Sequence, residues 1–300
     1  MRFSIIIPVY NVERYLKECL DSVLNQTFPD WEAVCINDGS TDGSADILNE
    51  YASKDERFII ITQSNEGLSS ARNAGMKAAK GEYVLFLDGD DWLEPDALAI
   101  ISENLDGEDM LCFSGHRYFE ETKSFNTADV LPEKNYPSGM DYYNENALLQ
   151  RDFAFVCVVL RAYKRSFLME SVLGFKEGIC HEDNLFTPIA CYYAKQVKVI
   201  DSCLYNYRMR TNSIMTTGNA KRTLDLLEIA NELAAFFVAK SDFDKTVVYR
   251  AVTHHYQVAF LNGPREEIKR LCDWKLYRKV SRTKLRHRWN YMMTRYLVKI

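Results

Sequence analysis

The first hundred residues repeat one pattern: a short apolar, β-branched run, a polar end, then a segment whose apolar residues recur at helical spacing. "SIIIP" is the first run, stopped at Pro8. "WEAVCINDGS" is the second, ending on Asp38, Gly39 and Ser40, and "FIIITQ" and "YVLFLDGDD" follow as the third and fourth. Between them, "ERYLKECLDSVLNQ" puts Tyr15, Leu16, Cys19, Leu20, Val23 and Leu24 on one helical face. "STDGSADILNEYASKD" turns Ile47, Leu48 and Tyr51 inward behind Ser and Asp caps. "GLSSARNAGMKAAKGE" reads as a helix closed by Gly81, and "EPDALAIISENL" as one with Pro95 in its first turn. Strands alternating with helices over short connections predict a parallel, doubly wound α/β sheet. In such a sheet ligands bind beyond the carboxyl ends of the strands. The polar signatures "PVYN", "NDGS", "QSNEGLSSARNAG" and "DGDD" all fall on that edge.

The regularity breaks between about 107 and 215. "DMLCFSGHRYF" reads as a strand, "VCVVLRAYKRSFLME" as a strand running into a helix, "EGICHEDNLFTPIACYYA" as a loop and a helix, and "VKVIDSCLYNYRMR" as a strand. Beyond Gly218 the chain is helical. This divides it into a catalytic unit over 1–215, with a ligand-binding half over 1–100 and a second half over 101–215, and a helical region over 216–300.

With 300 residues, 47% hydrophobic and 26% charged, the chain has an ordinary globular balance, and its net charge of −5 gives no basic field for nucleic acid. No run approaches the roughly 20 apolar residues of a membrane span. The opening "MRFSIIIPVYN" is too short and polar for a signal peptide and looks like a first strand. The 8 Cys are scattered without a C-x-x-C pair, which points to a reducing, cytoplasmic setting rather than disulfides, and no ligand pair stands at zinc spacing beside Cys180 and His181.

In "YVLFLDGDDW", Asp88, Asp90 and Asp91 crowd the end of a buried strand. Such repulsion costs free energy unless a cation or a hydrogen-bonding ligand offsets it. A divalent ion bridging a diphosphate would do so, held by few protein carboxylates. Gly89 would leave room for close approach, and Asp91 would cap the next helix or position a ligand. The plain alternative is a solvated acidic turn.

"SIIIPVYNVERYLKECLDSVLNQTF", "NDGSTDGS", "NEGLSSARNAG" and "FLDGDDW", in this order, resemble family 2 glycosyltransferases of the GT-A fold, and "HEDNLF" and "YNYRMRTNSI" extend the resemblance over about 215 residues. It implies an inverting, metal-dependent enzyme of the bacterial surface-glycan type. Such an enzyme moves a sugar from a nucleotide-sugar donor to a glycan or lipid-linked acceptor. By the same resemblance Asp90 ligates Mn²⁺ or Mg²⁺, with Asp88 near the ribose and the metal's waters. Asp38 accepts the imide N–H of uracil, which favours a UDP-sugar, while Pro8, Val9 and Tyr10 line the opposite wall. Asp183 is the base that takes the acceptor's proton, with Glu182 its rival. Two adjacent acids raise one pKa, which suits a base.

Arg72 stands one turn inside a helix start at Gly67 and Ser69, in reach of the nucleotide, or else on the surface paired with Glu66. Arg208 and Arg210 share one face of their strand and would meet the diphosphate, or else lie on a solvated edge strand. Two other readings compete. One is a donor-binding module without turnover. The other is a haloacid-dehalogenase-like phosphatase, disfavoured because Trp92 follows the acids and three strands precede them.

After Asp273 the chain has many Lys and Arg and no acid, and Leu285, Trp289, Met292, Met293, Tyr296, Leu297 and Ile300 recur at helical spacing. Residues 274–300 therefore read as a basic amphipathic helix that either meets an anionic lipid surface or packs on the catalytic unit with its cations solvated. The lipid reading puts the protein at the inner face of the membrane. Sedimentation with anionic vesicles separates the two: salt-sensitive binding lost on deleting 274–300 is expected for membrane contact, and equal binding by the truncated chain contradicts it.

Overall fold

The computed structural model describes residues 1–127, 131–148, 156–210 and 220–281. Strands β1 (Phe3–Val9), β2 (Trp31–Asp38), β3 (Phe58–Gln63) and β4 (Tyr83–Phe86) alternate with helices α1 (Glu13–Leu24), α2 (Ser44–Lys54) and α3 (Leu68–Ala78). β1 lies between β2 and β4, and all four strands are parallel. Every residue of β1 and β2 is buried, as two-sided coverage of a parallel sheet requires. The four runs read from the sequence are therefore strands, and their carboxyl ends share one edge.

The second half completes the same sheet. After β5 (Trp92–Leu93) and α4 (Ala97–Asn104) come β6 (Met110–Phe119), β7 (Ser124–Thr127), β8 (Lys134–Tyr136) and α5 (Gly139–Leu148). A 3₁₀ turn over Val158–Leu160 leads into β9 (Arg161–Lys164) and α6 (Arg165–Glu170), then α7 (Asp183–Tyr193) and β10 (Val197–Met209). The strand order is β3-β2-β1-β4-β9-β6-β10-β5, with β7 on β6 and β8 on β10. β9 runs antiparallel between β4 and β6. This is the arrangement the resemblance implies, a mostly parallel sheet flanked by helices, with helices α8 (Ala220–Val238), α9 (Thr246–Asn262), α10 (Arg265–Leu271) and α11 (Trp274–Ser281) following it.

Several local expectations change. β4 stops at Phe86, so the acids after it sit on a turn closed by the Asp91 N–H on the Asp88 carbonyl at 2.9 Å. Gly89 does give close approach, but to the protein itself: a Cβ there would lie 3.1 Å from the Pro8 carbonyl oxygen and 3.2 Å from Val12. Pro95 precedes α4 instead of entering its first turn. β10 pairs with β6 as far as Met209, and Arg208 is buried there instead of lying on a solvated edge.

α11 turns Tyr277, Val280 and Ser281 inward, and Tyr277 packs on Tyr256 and Phe260 of α9. Over 274–281 the terminal basic segment thus packs on the helical region, with Lys275, Arg278 and Lys279 exposed. Residues 282–300, which carry the rest of that amphipathic pattern, and the end of "YNYRMRTNSI" lie outside the described residues. Among the described residues no helix is long and apolar enough to cross a membrane.

Candidate active site

The site is organised around Arg72, and packing of α3 explains why. A Cβ on Gly75 would stand 2.3 Å from the Ile6 side chain, so this helix lies closer to β1 than any larger residue permits. Arg72 is three residues earlier on the same helical face. It is therefore pressed against the strand ends, only 2% exposed, over the rings of Phe86 and Phe175. It reaches neither solvent nor Glu66. Its guanidinium holds Asp88 at 2.9 Å, Glu182 at 2.7 Å and Asp183 at 3.1 Å. Arg72 is thus the junction between the strand-end acids and the Glu-Asp pair 110 residues later in the chain.

Glu182 immediately precedes α7 and Asp183 begins it. Their position is fixed from behind by Phe186, stacked on Phe175 with centroids 4.2 Å apart. Phe175 is itself clamped by Asn73, whose amide nitrogen donates to the Phe175 carbonyl and whose amide oxygen accepts its N–H, both at 2.8 Å. The Val158 N–H donates to Asp183 at 3.1 Å. Burial raises the Asp183 carboxyl most, Arg72 pulls it down, Glu182 pushes it up, and the balance leaves it at about 7. A carboxylate at that value accepts a proton far more readily than an ordinary one near neutral pH.

The acidic turn is held by β10. The Tyr205 hydroxyl donates to Asp91 at 2.5 Å and accepts the Asp88 N–H at 3.3 Å. The Arg208 N–H donates to Asp91 at 2.8 Å. Asp91 is buried, which pushes its carboxyl well up. It does not cap α4; it ties the turn to β10. Arg208 does not present a free guanidinium to a diphosphate. It is buried against the rings of Tyr15, Trp92 and Tyr118, and its nitrogens donate to the Asp90 carbonyl, Glu120 and Glu18. Arg210 differs: it is partly exposed and pairs with Asp90 at 2.8 Å.

Asp38 is also engaged. It accepts from Gln63 at 2.8 Å and from the Glu66 and Gly67 N–H groups at 3.0 and 2.8 Å. It staples the loop that opens α3 onto β2, and it takes up the Gly67 N–H that would otherwise be free to meet a phosphate. The turn after it is made by Asn37, whose side-chain oxygen accepts the Ser40 N–H at 3.0 Å. Pro8 and Val9 are buried in β1, and Tyr10 just beyond is 47% exposed, an open ring at the strand edge.

For a divalent cation the donor set is hard oxygen. Asp88 and Asp90 are partly exposed, whereas burial raises the Asp90 carboxyl, Arg210 opposes that rise and Asp88 adds to it. A cation beside them would relieve the same repulsion that Arg72 and Arg210 now relieve. Among the described residues no cluster of three or more His, Cys, Asp or Glu is arranged as a protein-only metal cage. The pair fits an ion that completes its shell with ligand oxygens.

A family model, Glycosyl transferase family 2, matches residues 4–171. EpsH of Bacillus subtilis, a glycosyltransferase by name, is 34% identical over 240 residues, 78% of this chain and 68% of that protein. Glycosyltransferase GlyA of Streptococcus pneumoniae is 32% identical over 237 residues, 77% of this chain but only 34% of that protein. The crystal structure of S. aureus TarS 1–349 in complex with UDP-GlcNAc superposes with a TM-score of 0.62, covering 93% of this chain and 90% of that one at 23% identity, a likeness of fold.

Replacing Arg72 by Met should cost about 3–5 kcal/mol, because buried acids lose their cation. The cost should depend on pH. Without Arg72, Asp183 rises above its value of about 7. The folded state then holds a proton that an unfolded Asp, with pKa about 3.9, releases, so stability falls as pH rises between those values. Urea unfolding at about pH 5 and about pH 8 should show the larger deficit at the higher pH. A deficit independent of pH contradicts this arrangement.

Proposed function

The chain belongs to glycosyl transferase family 2, and from that premise we propose that it moves a sugar, with inversion, from a UDP-sugar to a hydroxyl of a glycan or lipid-linked glycan acceptor. The observation that carries this reading is the shared guanidinium: Arg72 lies 2.9 Å from Asp88 and 3.1 Å from Asp183. The acid that takes the acceptor's proton and the acid at the donor edge are thereby parts of one rigid unit.

In this reading Asp183 removes the acceptor hydroxyl's proton as its oxygen attacks the anomeric carbon. The sugar–phosphate bond breaks on the opposite face, and the nucleoside diphosphate leaves with its electron pair. Burial and Glu182 keep Asp183 basic enough for this, while Arg72 keeps it from being permanently protonated. Asp90 and Asp88 would hold Mn²⁺ or Mg²⁺. Such an ion, when bound, supplies charge neutralisation to the diphosphate. Arg210 pairs with Asp90 and supplies a second cation at the same place.

The uridine preference rests on Tyr10 as an open stacking ring, on Asp38, which has one oxygen with a single donor, and on the TarS complexes with UDP and UDP-GlcNAc. A mannosyltransferase of Pyrobaculum calidifontis bound to GDP-Man and Mn²⁺ has the same fold, with a TM-score of 0.54, so the base is open to test. Attachment of the terminal basic segment to an anionic membrane would bring the site to a lipid-linked acceptor.

Two variants test the assignment together. Asp183→Asn should leave donor affinity within a few-fold while turnover falls by about 10²–10⁴. Asp90→Ala should instead abolish the metal dependence of donor binding, measured by calorimetry with and without Mn²⁺. Turnover that survives in Asp183→Asn and collapses in Glu182→Gln would exchange the roles of the two acids. Wild-type turnover in Asp90→Ala would remove the metal from Asp90.

A further inference from the structure

Glu182 and Asp183 are delivered by the segment 176–181, and nearly everything that holds this segment comes from α8, beyond the family-matched residues 4–171. Its backbone is demanding. Gly178 has φ 78° and His181, which immediately precedes Glu182, has φ 65°. A histidine rarely adopts that left-handed conformation, and it persists only where the surroundings impose it.

The surroundings are specific. Asp225, buried on α8, accepts the Cys180 N–H at 2.9 Å. Lys221 donates to the Gly178 carbonyl at 2.7 Å and to Asp225 at 2.8 Å, so Asp225 is itself held in place. Arg222 meets His181 Nε2 at 3.3 Å. Lys176, at the start of the segment, is paired with Glu228 and Glu232. On the far side, the His181 carbonyl accepts the Asn184 N–H at 2.9 Å and the Glu182 carbonyl accepts the Phe186 N–H at 2.9 Å, so the segment runs directly into α7. A shift at Cys180 is passed through a single left-handed residue to the acids on Arg72.

We infer that Asp225 is a positioning residue for the transfer reaction, acting through the 176–181 segment to hold Asp183 in its working place. The helical region is then part of the catalytic apparatus rather than an appendage. The inference rests on Asp183 as the base, and its consequence is a split in the kinetics. Asp225 touches none of the groups assigned to the donor, so its loss acts on turnover and leaves donor affinity alone.

The test uses the full-length protein and the turnover assay in which Asp183→Asn is measured. Asp225→Ala removes the acceptor for the Cys180 N–H; it should lower kcat about 10–100-fold, the scale of a misplacement near 1 Å, with donor KM within about 3-fold. Asp225→Asn keeps an acceptor oxygen and should recover most of that loss. Combined with Asp183→Asn, Asp225→Ala should cost almost nothing further, because both changes act on the same step. Should Asp225→Ala fail to fold, Lys221→Met, at a mostly exposed side chain, should show the same kcat-only loss on a smaller scale.

Unchanged kcat in folded Asp225→Ala or Lys221→Met overturns the inference. So does an Asp225→Asn variant as impaired as the alanine, or an equal Asp225→Ala loss with and without Asp183. Failure of Asp183→Asn to lose turnover is a separate result: it removes the base assignment, and the Asp225 inference falls with it. A normal Asp183→Asn loss with no Asp225 effect removes only the inference.

Discussion

One buried guanidinium holds the two halves of this site together. Arg72 is nearly inaccessible to solvent, and burying a cation is costly unless its partners are close and well aligned. It has three acids within 3.1 Å. A single such pair near 4 Å is worth about 4 kcal/mol at an effective dielectric of 20, so three partners offset the desolvation where one would not. The arrangement is also unequal in charge: one cation faces three acids. That imbalance, together with burial, holds Asp183 at about 7 instead of deep in the carboxylate range. Stability and reactivity thus have one origin.

A second cation does comparable work behind the acidic turn. Arg208 lies between aromatic rings and two exposed-side acids, Glu18 and Glu120, and bonds the Asp90 carbonyl. With Tyr205 and Asp91 it fixes the turn that carries Asp88 and Asp90. The side chains of Asp90 and Arg210, proposed to face the ligand, are left partly exposed. Rigid backing and open front are therefore divided between neighbours: Asp91 from Asp90, Arg208 from Arg210.

Much of this was legible in the sequence because it depends on local pattern. The β-branched runs and their polar ends gave the strands, the sheet edge and the residues gathered there. The family resemblance added Asp183 and Glu182, whose place beside Asp88 no spacing reveals. What escaped depends on tertiary contact. The burial of Arg72 follows from the approach of Gly75 to Ile6, which the sequence records only as a glycine inside a helix. Asp91 and Asp90 are chemically identical in the string, and only Tyr205 and the Arg208 backbone separate their roles. The short strands β5, β7 and β8 lack the length for a periodic signal and form by pairing with longer neighbours. Asn73 and Phe175 brace the acids through contacts about 100 residues apart, as Asp225 does at shorter range.

The most direct measurement of the central claim is the pH dependence of kcat/KM in the wild-type enzyme, which reports the essential base of the free protein. A base held by burial and Glu182 against Arg72 predicts a rate that rises with pH and levels off through an apparent pKa of about 7. A rising limb near 4, the range of an unperturbed carboxylate, would show that the Arg72 junction does not set the reactivity of the site.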